Sequence, residues 1–180
     1  MKDLRYPIGE FKKPGTIRIE DIDRWINDIA QLPDSLRKEV ENLSEHELNW
    51  QYRPGSWTVR QLVHHCADSH INGFIRFKLA VTEDKPTIKP YFENKWAALP
   101  DAQDSPISWS LELLDGLHRR WAYMLKHFNS HDFKKVFIHP EHNQEFSVEE
   151  GIGVYAWHGN HHLGHVRQAK AYEGRFDNSK

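Results

Sequence analysis

"SVEEGIGVYAWHGNHHLGHVRQAKAYEG", residues 147 to 174, holds a helix start signal, a helix stop signal and four histidines. Ser147 and Glu150 stand three apart ahead of an apolar run, the spacing at which each side chain caps the other's backbone N–H. Gly174 supplies the stop, because glycine enters the left-handed conformation that closes a helix at little steric cost. The spacing predicts a helix from Ser147 to about Tyr172. A long helix with one apolar stripe needs other elements to bury that stripe.

Three such partners lie upstream. From Thr16 to about Asn42, Ile22, Trp25, Ile26, Ile29 and Ala30 recur at three- and four-residue spacing, the period of a helix. Pro33 lacks the N–H a helix interior needs, which predicts a break or kink near Leu32. Thr58-x-x-Gln61, just after Pro54 and Gly55, is a second capping box and opens a helix to about Glu83. Trp109, Leu113, Leu114, Leu117, Trp121, Met124 and Leu125 mark another from Ile107 to about His127. The rest reads as connectors: an irregular arm over residues 1–15, a short turn capped by Ser44-x-x-Glu47, a long loop over 91–106 and a loose hairpin over 133–147. The expected fold is all-α, a four-helix bundle with long connectors and at most a small hairpin, forming one domain over residues 1–180.

Composition narrows the function. A net charge of −2 with both signs interspersed lacks the basic footprint of a nucleic-acid binder. No apolar run approaches the roughly 18 residues of a membrane span, and the N-terminus lacks a signal peptide's apolar stretch. A single cysteine, Cys66, allows no intramolecular disulfide and fits a reducing cytoplasm. Thirteen histidines beside that one cysteine argue against a zinc-finger type of site.

On the last helix, with about 100° per residue and His158 at zero, His162 falls near 40°, His165 near −20° and His161 near −60°. The stripe of Val148, Ile152, Tyr155, Val166 and Ala169 centres near 80° on that scale, so His162 faces inward and His158 lies at the edge. His161 and His165 are expected to point outward. An i, i+4 histidine pair can converge on one metal ion, with other bundle helices supplying further ligands. "LVHHCADSH", residues 62–70, offers them: His64 well outside its helix's stripe, His65 at the margin, His70 near the stripe. Periodicity does not choose between His65 and His70. Three protein ligands with open positions would be the catalytic arrangement rather than the closed structural one.

"PGSWTVRQLVHHCADSH" at 54–70, followed by "AWHGNHHLGHV" at 156–166, resembles the DinB-like superfamily, and within it the YfiT-like branch of metal-dependent hydrolases. The resemblance implies a four-helix bundle holding one divalent ion per subunit, zinc or nickel, on three histidines. Carried onto this chain they are His65, His158 and His162. It implies hydrolysis of a small-molecule substrate and a homodimer. The wider superfamily also contains thiol S-transferases, so a low-molecular-weight thiol of the bacillithiol type is the alternative reading, and a non-catalytic, metal-stapled bundle the second. No catalytic residue is assigned: Gly159 stands where the HExxH signature of zinc proteases has its glutamate. Asp68 and Glu141 are candidate bases or acceptors, although exposed carboxylates are commoner; His131, His139 and His142 flank the hairpin; Cys66 reads as a core residue. Trp157, off the apolar stripe, and Trp96, in the long loop, are tryptophans that a dimer interface would cover.

Overall fold

The structure, a computed structural model, describes residues 3–141 and 144–176. In chain order the elements are α1 (Ile19–Val40), α2 (Glu45–Leu48), α3 (Val59–Thr82), α4 (Glu93–Trp96), α5 (Pro100–Gln103), α6 (Ile107–Lys126), α7 (Ser130–Lys134), β1 (Val136–His139), β2 (Gln144–Ser147) and α8 (Val148–Ala171). The long helices begin where the capping boxes stand: Thr58 Oγ1 accepts from the Gln61 N–H and Ser147 Oγ from the Glu150 N–H, each reciprocated by the partner side chain. At the end of α8, Glu173 and Gly174 both adopt positive φ, and the Gly174 N–H closes on the Ala169 carbonyl at 3.0 Å. β1 and β2 form the small antiparallel hairpin, paired from Val136 with Ser147 to His139 with Gln144.

Of the break or kink expected near Leu32, a break does not occur. α1 runs through Pro33 without interruption. A mid-helix proline leaves the carbonyl four residues back without its donor, here that of Ile29. His118 on α6 supplies the missing donor: its Nδ1–H bonds the Ile29 oxygen at 2.5 Å. A side chain from another helix thus satisfies the carbonyl that Pro33 cannot.

α1 packs against α6 and α8, and α3 packs against the same two helices, so α1 and α3 occupy opposite corners of the bundle. Its interior divides into two apolar clusters. One gathers Ile22, Ile26, Ile29, Phe77, Trp121 and Ile152; the other gathers Leu36, Val40, Leu62, Cys66, Leu114 and Val166. Between them in sequence, on three of the helices, lie the buried His118 and His70 and the half-buried His158. Cys66 is a core residue, and burial pushes its thiol up to about 12. No helix among the described residues is long and apolar enough to cross a membrane.

The N-terminal arm has no regular structure but lies along α8. The carbonyls of Leu4, Arg5 and Gly9 accept from Gln168 Nε2, His165 Nε2 and Trp157 Nε1 at 3.0, 3.1 and 3.0 Å.

Candidate metal centre

α3 and α8 bring His65, His158 and His162 together. His158 Nε2 lies 3.3 Å from His65 Nε2 and 3.2 Å from His162 Nε2. One nitrogen from each of the three falls within 4.8 Å of the others, close enough to share a metal ion. No carboxylate among the described residues hydrogen-bonds any of the three rings. Burial pushes His65 down to about 4. It also holds His158 and His162 well below the usual histidine range, with the neighbouring imidazoles adding to the effect. All three are therefore neutral near pH 7, the form in which imidazole ligates metals.

Three other histidines are not where helix faces alone put them. His64, expected well outside, is buried beneath the α5–α6 connection, with Nδ1 2.8 Å from Ser110 Oγ and Nε2 3.3 Å from the Ser105 carbonyl. His161 and His165, expected to point outward, are also buried. His161 stacks on Trp157 at 4.6 Å, and His165 stacks on Tyr52 at 3.9 Å. A helical wheel registers one stripe, whereas α8 has a second partner in the arm and in the connector that carries Tyr52. His161, His162 and His165 make a second group with nitrogens within 4.8 Å. In it His165 Nδ1 lies 3.5 Å from His162 Nδ1, the ring nitrogen that faces away from His158.

His70, the residue periodicity left in competition with His65, stands one ring behind the trio. Its Nε2 lies 3.1 Å from His158 Nδ1, and its Nδ1 lies 2.9 Å from His118 Nε2. His118 had no signal of its own in the sequence; the unpaired carbonyl that Pro33 creates was the available clue.

The trio opens into a pocket of about 480 Å³ walled by Tyr6, Tyr52, Trp57, Trp157 and the remaining α8 histidines, with Arg5, Arg53, Glu93 and Asn94 around it. Trp57 lies 4.7 Å from the His65 ring. The arm, the α2–α3 connector and α4 thus supply most of the walls, and none was legible as site residues from the sequence. Asp68 and Glu141 do not line this pocket. Asp68 is half-buried on α3, where burial and then Asp101 push it up to about 6. Glu141 and His131 are exposed, His139 is half-buried on β1, and His142 lies outside the described residues. Trp157 is half-covered by the arm, and Trp96 packs on Tyr91 at 4.6 Å but stays 38% exposed.

A profile of the DinB superfamily matches residues 28–166. The chain belongs to that superfamily. It is similar to a Bacillus mycoides (strain KBAB4) protein named "Putative metal-dependent hydrolase", 52% identical over 166 residues that cover 92% of this chain and 95% of that one. A protein of the same name from Bacillus cereus (strain B4264) is 51% identical over the same shares. Among solved structures the chain is similar to YfiT from Bacillus subtilis, described as "a probable metal-dependent hydrolase with an unusual four-helix bundle topology". The TM-score is 0.92 at 42% identity, covering 96% of this chain and 99% of that one.

Gly159 explains the missing glutamate. A Cβ there would lie 2.5 Å from Leu32 Cδ2, so α1 occupies the space into which a side chain would project.

Proposed function

We propose that this protein is a metal-dependent hydrolase of small molecules, with one zinc or nickel ion held by the Nε2 atoms of His65, His158 and His162. One observation carries the reading. Tetrahedral ligands at 2.0–2.1 Å from zinc lie about 3.3–3.4 Å apart, and the two separations that meet at His158 Nε2 are 3.2 and 3.3 Å. The donor set agrees, because imidazole nitrogens suit zinc and nickel. Such an ion supplies Lewis-acid chemistry: it polarises a carbonyl or phosphoryl group and acidifies water near neutral pH.

The chain's own residues do the remainder. The neutral imidazoles bring no compensating charge to the ion. Trp57, Tyr6 and Trp157 offer flat apolar walls for a substrate body, and Arg53, also in the lining, is a cation suited to a polar or anionic substituent. Glu93 is the carboxylate in the lining and is therefore the group placed to accept a proton there. A homodimer belongs to the same reading. Phe92, Trp96 and Trp109, between 38% and 70% exposed, offer it aromatic surface, whereas Trp157 is already partly covered by its own chain. A cytoplasmic location, resting on the single free thiol, completes it.

Elemental analysis of purified variants tests the ligand set. His65→Ala, His158→Ala and His162→Ala should each weaken zinc binding by at least the roughly 10–100-fold typical of losing a ligand's supporting partner. His64→Ala and His161→Ala should leave it close to wild type, and equal loss in all five would refute the assignment. A panel of esters, amides and phosphoesters, with and without low-molecular-weight thiols, tests the chemistry. Turnover that requires thiol but not water would replace hydrolysis with thiol transfer. Metal uptake with no turnover would favour the non-catalytic bundle.

A further inference from the structure

Between the two apolar halves of the core runs a row of hydrogen bonds that touches all four long helices. It starts at the Ile29 carbonyl on α1 and passes through His118 on α6 and His70 on α3 to His158 on α8. Its direction is set at the first link. A carbonyl oxygen only accepts, so the proton on His118 is on Nδ1. His118 is 0% exposed and no carboxylate among the described residues hydrogen-bonds it, so its ring is neutral and Nε2 is bare. A bare nitrogen 2.9 Å from His70 Nδ1 makes that atom the donor. His70 is 0% exposed too, so the same rule leaves its Nε2 bare, to accept from His158 Nδ1–H at 3.1 Å. His158 Nε2 then carries no proton, and its lone pair faces the Nε2 atoms of His65 and His162.

We propose that the Ile29 carbonyl freed by Pro33, together with His118 and His70, forms a tautomer lock that fixes the proton of His158 on Nδ1 and presents Nε2 for ligation. His118 and His70 are positioning residues that act through His158. The lock matters because a neutral imidazole in water distributes its proton over both nitrogens, and the Nε2–H form cannot ligate through that atom. Partners of this kind typically change metal affinity by about 10–100-fold. A hydrogen-bonded file of imidazoles also explains why polar rings interrupt a core that apolar side chains would otherwise fill. Each ring nitrogen in the file has a partner, so the layer carries no unsatisfied group until one of its members is removed.

The inference rests on reading His158 as a ligand, and the experiment keeps the two apart. Ring nitrogen–proton correlation spectra of chelator-treated wild-type protein, 21.3 kDa, report each histidine's tautomer without any metal. His118, His70 and His158 should all be Nδ1–H; His158 found mainly as Nε2–H overturns the lock. Zinc competition titrations then compare two variants. His118→Phe removes the anchor and should weaken zinc by about 10–100-fold. His118→Gln, whose amide can donate to Ile29 and accept from His70, should recover most of that loss. Equal zinc affinity in the two variants would also overturn it. If His118→Phe does not fold, the wild-type spectrum still decides. Wild-type protein that takes up no zinc would remove the metal reading, and the spectrum would still judge the lock.

Discussion

Two glycine-to-alanine substitutions in long helices, identical in chemistry, should move stability in opposite directions. Gly116 is exposed in α6, and a Cβ added there meets nothing within 4 Å. Alanine at that site should stabilise by about 0.5–1 kcal/mol, because it removes backbone freedom from the unfolded chain and disturbs no contact. At Gly73 in α3 the same Cβ would lie 2.5 and 2.6 Å from Tyr155 Cζ and Cε1, and 2.8 Å from Trp121 Cη2. Those rings have little room to yield. Trp121 is fully buried, and Tyr155 is buried with its hydroxyl hydrogen-bonded to Arg76 at 3.0 Å. Overpacking costs about 1–3 kcal/mol, and rigid rings argue for the upper end. After subtracting the propensity gain of about 1 kcal/mol, the net loss is about 2 kcal/mol. At about 2–4 °C per kcal/mol for a chain of this size, Gly73→Ala should lower Tm by about 4–8 °C. Gly116→Ala should raise it by about 1–4 °C. Thermal unfolding followed by circular dichroism in a chelating buffer isolates these effects from metal binding. Shifts of the same sign in both variants would refute the packing argument at the α3–α8 contact.

pH should act through buried imidazoles. His118 titrates near 6.5 when unfolded and at about 4 when folded, so its stabilising contribution is complete above pH 6.5 and is lost as pH falls toward 4. The slope is about 1.4 kcal/mol per pH unit and the total roughly 3 kcal/mol. The difference between the urea-unfolding profiles of metal-free wild type and His118→Gln between pH 4.5 and 7.5 isolates it from the other buried imidazoles, and two parallel profiles would contradict the buried neutral ring. Asp68 has the opposite sign: its carboxyl is raised from 3.8 to about 6, so the charged form strains the fold above pH 6 and the strain is absent below pH 3.8. Because the group is only partly buried, Asp68→Asn should gain about 1 kcal/mol at pH 8 and nothing near pH 4; a gain that persists unchanged at pH 4 would point to a cause other than charge.

The long helices were legible because their signals are local. A capping box occupies four residues, and both Thr58 with Gln61 and Ser147 with Glu150 act in the structure as their spacing implies. For α1 the periodicity located the helix, but the rule about proline is also local and does not know what a distant helix can donate, so it allowed a break that is not there. His118 lies 85 positions from Pro33 in the chain, yet its ring decides whether the Ile29 carbonyl is satisfied. The histidine faces divide in the same way. His158 and His162 share a turn and could be paired from their spacing alone. His64, His161 and His165 were misjudged because loops cover them, and a wheel drawn for one helix contains no loops.

Those loops also bear on how the site is built. On α8 the turn between His158 and His162 is committed to packing, with Leu32 filling the space beside Gly159. A glutamate at position 159 would have to displace the Leu32 side chain and so disturb the cluster to which it belongs. The carboxylate in the pocket lining, Glu93, comes from outside the four long helices. The connector between α3 and α6 is tied to α3: Gln61 Nε2 bonds the Ala97 carbonyl at 2.8 Å, and an Arg60 nitrogen bonds the Ser105 carbonyl at 2.8 Å. Its α4 turn sets Glu93 and Asn94 at the pocket. The helices fix the histidines, where small displacements matter most. Connectors held to them at a few points supply Arg53, Trp57, Glu93 and Asn94 to the pocket lining, and residues on connectors can change without repacking the core.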